Sequence, residues 1–158
     1  MYYASVLLLT LILPLGSVYV DHSLTQNGLP LMLLAGKWFA FWAGGVRLVI
    51  AGIRQTVQPR FTSETIFGIK GDDPLPFVRE LGMANIAMGV LGLAAPFAAA
   101  FVLPAALVSG LYYVQAGIGH IRHGGRNRQR NVAMVSDLYV ALALLGFVGW
   151  AFASYISL

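Results

Sequence analysis

The chain has 158 residues, of which 58% are hydrophobic and only 10% charged, and its mean hydropathy is +0.76. A water-soluble domain carries about 25% charged residues, so this composition excludes a soluble globule, a disordered chain and a coiled coil and implies an integral membrane protein. The sequence pI near 9.7 arises from ten basic against six acidic residues, too sparse a positive charge for a nucleic-acid module.

There are no cysteines, which excludes disulfides, thiolate metal sites and iron–sulfur clusters within the chain. Met1-Tyr2-Tyr3-Ala4 places no basic residue before the first apolar run. A cleavable signal has a basic n-region, so the run is expected to be a retained helix. Five stretches reach the roughly 20 residues needed to span a bilayer: residues 2–20, 30–53, 77–95, 98–121 and 132–156. The expected fold class is therefore all-α, one transmembrane bundle of five helices. Pro14 and Pro104 fall inside the first and fourth spans, where they would kink the helices. Ala94-Ala95-Pro96 makes the turn between spans three and four so short that the two should form an antiparallel hairpin.

With five spans, the N-terminus and the segments 54–76 and 122–131 share one side. Together with Arg79 they hold eight of the ten basic residues. The positive-inside rule then puts the N-terminus in the cytoplasm and the C-terminus outside. Tyr19, Trp38, Phe39, Trp42, Trp150, Phe152 and Tyr155 would form an outer aromatic belt. In the long inner loop, Thr62-Ser63-Glu64 resembles a helix N-cap ahead of Ile66, Phe67 and Ile69. This predicts a short amphipathic helix at the surface, closed by a turn at Gly71-Asp72-Asp73-Pro74.

Ionisable groups inside a span are costly and become functional candidates. Lys37, Arg47, Glu80 and Asp137 qualify. Arg47, Glu80 and Asp137 share a depth in the cytoplasmic half, so Arg47 is expected to contact at least one of the two carboxylates. Gly36, Ala40, Ala43, Gly44, Arg47, Ala51 and Arg54 recur at helical spacing and would direct both arginines into the bundle. Asn85, Tyr112, Tyr113, Gln115, His120 and Ser136 could complete a polar pocket. The competing reading is an ion-pair network that only holds helices together. Glu80 and Asn85 lie about 140° apart on a helix and cannot both face one narrow site.

His120 and His123, three residues apart, could bind a metal with Asp137 or Glu80, but no metal is assigned, and His22 lies on the wrong side for a bis-histidine haem. The basic run Arg122, Arg126, Arg128 and Arg130 suits anionic lipid headgroups, or serves only as a topology signal. Gly82, Gly89 and Gly92 mark close packing, within the bundle or between protomers.

Several stretches together carry a family likeness: Lys37-Trp38-Phe39-Ala40-Phe41-Trp42 with Gly45-Val46-Arg47, Ala51-Gly52-Ile53-Arg54-Gln55, Phe61-Thr62-Ser63-Glu64-Thr65-Ile66-Phe67-Gly68-Ile69, Arg79-Glu80-Leu81-Gly82-Met83-Ala84-Asn85, Ala116-Gly117-Ile118-Gly119-His120 and Asn131-Val132-Ala133-Met134-Val135-Ser136-Asp137-Leu138. Over about residues 30–140 the chain resembles a family of small bacterial membrane proteins known as a domain of unknown function. More distantly it is similar to the DoxX group, some of whose members associate with redox complexes. The resemblance implies a multi-span protein of the bacterial cytoplasmic membrane and transfers no activity, cofactor or catalytic residue. The expected role is non-enzymatic: a homo-oligomer or accessory subunit that holds a lipid or lipophilic ligand among membrane lipids. The alternatives are a redox-linked enzyme using Arg47, Glu80, His120 and Asp137, and an ion- or proton-coupled carrier using the same carboxylates.

Overall fold

The computed structural model describes residues 2–25, 28–122 and 128–156. Among these residues five helices are long and apolar enough to cross a membrane. They are α1 (Tyr2–Thr25), α2 (Leu31–Val57), α4 (Leu75–Ala94), α5 (Ala99–Arg122) and α6 (Arg128–Ile156). The short helix α3 (Phe61–Phe67) lies in the long loop. α4 packs chiefly on α2 and α5 chiefly on α6, while α1 leans on the first half of α2 and touches the start of α6. The core between α2, α5 and α6 is built from Phe39, Ala40, Ala43, Leu48, Ala105, Ala106, Val140, Leu144 and Phe147.

Local sequence explains the irregularities. Pro14 is fully buried and has no N–H for the carbonyl four residues back. The helix responds with a π-helical turn at Leu8–Ile12, in which the Leu13 N–H reaches the Leu8 carbonyl. Pro104 needs no such device. The α-helical part of α5 begins at Val102 after a 3-10 turn at Ala99–Phe101, so Pro104 sits in a first turn where an N–H has no intrahelical partner. Pro76 likewise occupies the first turn of α4.

The first helix runs five residues past the expected end at Val20. Asp21 is buried within it, its carboxylate taking a 2.6 Å ion pair from Lys37 and a 2.9 Å hydrogen bond from the Trp38 indole. A charge answered inside the bundle does not end a span. Trp42 donates to the Ser17 hydroxyl at 2.9 Å, and Phe39 is core. Two of the expected belt tryptophans thus clamp α1 to α2, whereas Tyr19 and Phe152 do lie on the outer surface. The Tyr155 side chain lies outside the described residues.

A second π-helical segment, Ala40–Val46, changes which face of α2 is buried. Before it the buried positions are Gly36, Ala40, Ala43 and Gly44; after it they are Leu48, Gly52 and Gln55. Uninterrupted α spacing would have continued through Arg47, Ala51 and Arg54. The wider turn, closed by bonds five residues apart, advances the face by one residue. Arg54 is therefore exposed and Gln55 buried.

The glycines of α4 all serve this contact. A Cβ on Gly82 would stand 2.7 Å from the Gly52 carbonyl oxygen, one on Gly89 3.0 Å from that of Gly45, and one on Gly92 2.5 Å from the Gly45 nitrogen. Small residues permit such backbone approach in membrane helices. These glycines are occupied by α2 of the same chain.

Candidate functional site

The end of the bundle that carries the N-terminus, α3 and the start of α6 holds a cavity of about 510 Å³. All five long helices and α3 contribute to it. Val6, Leu9, Leu48, Ile50, Ile66, Phe67 and Leu81 make its walls apolar. The polar groups gather on α2, α5 and α6.

Arg47 follows directly on the π-helical segment of α2. Its Nη2 donates to Asp137 Oδ1 at 2.7 Å and to the Ser136 hydroxyl at 3.0 Å. Ser136 in turn donates to the Ala133 carbonyl at 2.9 Å, one turn back. The guanidinium lies over the Tyr113 ring, 4.9 Å from its centroid, and the Tyr113 hydroxyl donates to the Ala43 carbonyl at 2.6 Å. The other Asp137 oxygen is 3.7 Å from His120 Nε2. With side-chain exposures of 14% for Arg47 and 8% for Asp137, the pair has lost most of its water, so its partners must supply what hydration no longer does.

A second polar pair faces the same cavity. Asn85 Nδ2 donates to Gln55 Oε1 at 2.7 Å, and Asn85 is 1% exposed. Sequence spacing did not reveal Gln55, because only the shifted face of α2 turns it inward. Two wall atoms remain unsatisfied: Arg47 Nη1 and Asn85 Oδ1 are buried with no hydrogen-bond partner. Leaving a buried polar group unpaired costs about 1–3 kcal/mol, more for a charged one.

Glu80 does not belong to this constellation. It is exposed and does not line the cavity. The buried face of α4 runs through Val78, Gly82, Asn85 and Gly89, and a residue two positions from both Val78 and Gly82 falls on the opposite side. The arginine expected between two carboxylates therefore has one carboxylate and one hydroxyl. Tyr112, Tyr113, Gln115 and His120 do line the cavity.

The basic run divides. Arg122 and Arg128 are exposed, Arg128 lying over the Tyr3 ring at 5.2 Å. Arg126 and His123 lie outside the described residues. Arg130 is 3% exposed and is no headgroup contact. It donates to the Ile66 carbonyl at 2.8 Å and to the Phe67 carbonyl, the last carbonyls of α3, which have no partner within the helix. Gly68 follows with φ +74, the left-handed turn at which glycine closes a helix. The Thr62-Ser63-Glu64 cap is not used. Thr62 and Ser63 are buried, no side chain caps α3, and the Ser63 hydroxyl bonds forward to the Ile69 carbonyl at 2.6 Å. α3 is thus an inward-packed plug held by Arg130, not a helix lying free at the surface. Among the described residues, no group of three or more His, Asp and Glu side chains is placed to hold a metal.

At the opposite end, Asp21 supplies the outer carboxylate that the sequence did not reveal. Along α2 and α6 the core residues Ala40, Ala43, Val140 and Leu144 separate its level from that of Arg47.

An all-helical bundle of five apolar spans, with a charge-bearing cavity at one end, defines a multi-pass helical membrane protein. The chain belongs to the family of unknown function DUF6790, whose family model matches residues 1–154. No curated protein and no solved structure matches it.

Proposed function

We propose that this protein holds a lipophilic ligand in the cavity at the basic end of its bundle. It acts without catalysis, as a homo-oligomer or as the accessory subunit of a larger complex. The basic end faces the cytoplasm of a bacterial cell, and the protein resides in the inner membrane, surrounded by lipids that its exposed arginines help to fix. The observation that carries the reading is the cavity itself. Its size falls within the roughly 300–1,000 Å³ of ordinary small-molecule sites, its walls are apolar, and two of its polar residues, Arg47 and Asn85, retain buried atoms without partners.

A purely structural ion pair would leave neither the space nor the unmet hydrogen bonds. The distribution of sites matters too: Glu80, needed by the enzyme and carrier readings, is on the far face of α4.

Native mass spectrometry on protein extracted in a mild detergent tests this. A bound small molecule is expected on the wild type and not on Ala116→Phe, which fills the cavity beside Gly119 and His120. A wild type that carries no small molecule, and that gains no thermal stability from a total lipid extract, overturns the reading.

A further inference from the structure

We infer that the ligand is a single-chain amphiphile with an anionic head, a carboxylate or a phosphate, seated at Arg47. This rests on reading the cavity as a ligand site and adds the chemistry of what enters it.

Charge balance is the first ground. Arg130 is engaged by the carbonyls of α3 and is left out of the count. The remaining lining then carries two guanidiniums, Arg47 and Arg54, against one carboxylate, Asp137. Arg54 has an aromatic face as its neighbour, with its guanidinium 3.5 Å from the Phe61 ring centroid, and a ring offers no compensating full charge. An anion restores neutrality in a poorly hydrated space, whereas a cationic head would add to the surplus.

The fork of Arg47 is the second. A guanidinium presents its donors in a planar array that matches the two oxygens of a carboxylate or phosphate. Asp137 and Ser136 both use Nη2. The other arm, Nη1, is buried with no partner, so the fork has capacity for a second acid beside Asp137. Nearby, His120 stands against the second Asp137 oxygen; on protonation it can offset the added negative charge.

The third ground is the route in. Ile50 lines the cavity and yet is 52% exposed, and Ile69 lines it at 47%. Ile50 lies within a span, so the cavity reaches the bundle surface where acyl chains of the bilayer lie. A head at Arg47 and a chain leaving past Ile50 put polar against polar and apolar against apolar.

The test titrates three probes into the purified wild type in a nonionic detergent: oleate, dodecyl phosphate and neutral monoolein. Binding is read by the shift in tryptophan-monitored melting and by native mass spectrometry. Oleate or dodecyl phosphate is expected to bind at least tenfold more tightly than monoolein. Whichever of the two binds better identifies the head as carboxylate or phosphate. The charge-balanced variant Arg47→Met with Asp137→Asn should reduce the preference to under threefold while still binding monoolein. Equal binding of all three probes to the wild type overturns the anionic head and leaves the cavity reading intact. Anionic binding that survives in Ala116→Phe is surface attraction and overturns it also. Failure of every probe to bind the wild type overturns the cavity reading itself.

Discussion

Replacing Arg47 by methionine removes the guanidinium bonded to Asp137 and keeps an apolar side chain of similar reach. Asp137 then retains only His120, at 3.7 Å, as a nearby cationic candidate among its printed ion-pair partners, in a site where its side chain is 8% exposed. Stranding one member of a buried pair in a soluble protein costs about 3–5 kcal/mol. In membranes individual interhelical hydrogen bonds average about 0.6 kcal/mol, because the unfolded reference state also finds partners. The Arg47 side chain makes two such bonds, to Asp137 and Ser136, so bond loss alone gives roughly 1 kcal/mol and the stranded charge supplies the rest. The expected loss is about 3 kcal/mol, toward the lower end of the soluble range because His120 is close.

Adding Asp137→Asn should return most of that loss, since no full charge is then left without its partner. The assay is unfolding by added sodium dodecyl sulfate from mild detergent micelles, followed by tryptophan fluorescence. The four members of the cycle are the wild type, Arg47→Met, Asp137→Asn and the double variant. A coupling energy of at least about 1.5 kcal/mol is expected, within the range for contacting residues. If the single and double arginine variants differ by less than about 0.5 kcal/mol, the two side chains are not a buried ionic pair and the reasoning fails.

Four further outcomes are expected. Glu80→Gln, on the exposed face of α4, should change stability by less than about 0.5 kcal/mol in the same assay; a larger loss would place Glu80 inside. Gly82→Ala sets a Cβ 2.7 Å from the Gly52 carbonyl and should destabilise by more than about 1 kcal/mol, while Gly146→Ala, with nothing within 4 Å, should be neutral or stabilising by up to about 1 kcal/mol. In a chain without cysteines, Thr62→Cys offers a background-free reporter on α3: its labelling rate should rise at least about tenfold with Arg130→Met, the equivalent of losing roughly 1.4 kcal/mol of hydrogen bonding to a charged group, and an unchanged rate would show that Arg130 does not hold α3. Cysteines at Ser23 and Lys70 should label from outside and only after lysis, respectively, in intact cells; the reverse pattern inverts the topology.

How far the sequence could be read followed from the kind of signal each feature gave. Composition and five apolar runs sufficed for the helical bundle, because a bilayer demands length and apolarity and little else. Arg47 and Asp137 were legible as a pair because each was a charge in a span with few possible partners. Gln55 and Arg54 were misread together, since helical spacing was extended through Ala40–Val46 and a single π-helical segment rotates everything after it. Asp21 was read as loop because an acid normally ends a span; its partner Lys37 lies 16 residues on, across the connection. Arg130 was read as a surface charge since its acceptors are the Ile66 and Phe67 carbonyls, which no side-chain pattern announces.

The bundle contains its own control for the claim that Arg47 marks a ligand site. Lys37 with Asp21 and Arg47 with Asp137 are both short ion pairs within spans, at 2.6 and 2.7 Å. They differ in how fully they are satisfied. Asp21 accepts from Lys37, Trp38 and Thr25, all within the α1–α2 contact. The Arg47 side chain borders a cavity and keeps one buried nitrogen without a partner. A pair that exists to hold helices should resemble the first. Removing both charges of either pair, by Lys37→Met with Asp21→Asn or by Arg47→Met with Asp137→Asn, should cost little in the ligand-free protein, as paired removal of buried charges often does. A ligand that binds only the folded state adds about 2.7 kcal/mol at one hundred times its Kd. That increment, measured with saturating oleate, should persist in the Lys37–Asp21 double variant and fall below about 1 kcal/mol in the Arg47–Asp137 double variant, a tenfold or greater weakening of binding. Equal loss in both variants would mean that stabilisation by oleate reports on general detergent effects, and equal retention in both would free the ligand from Arg47.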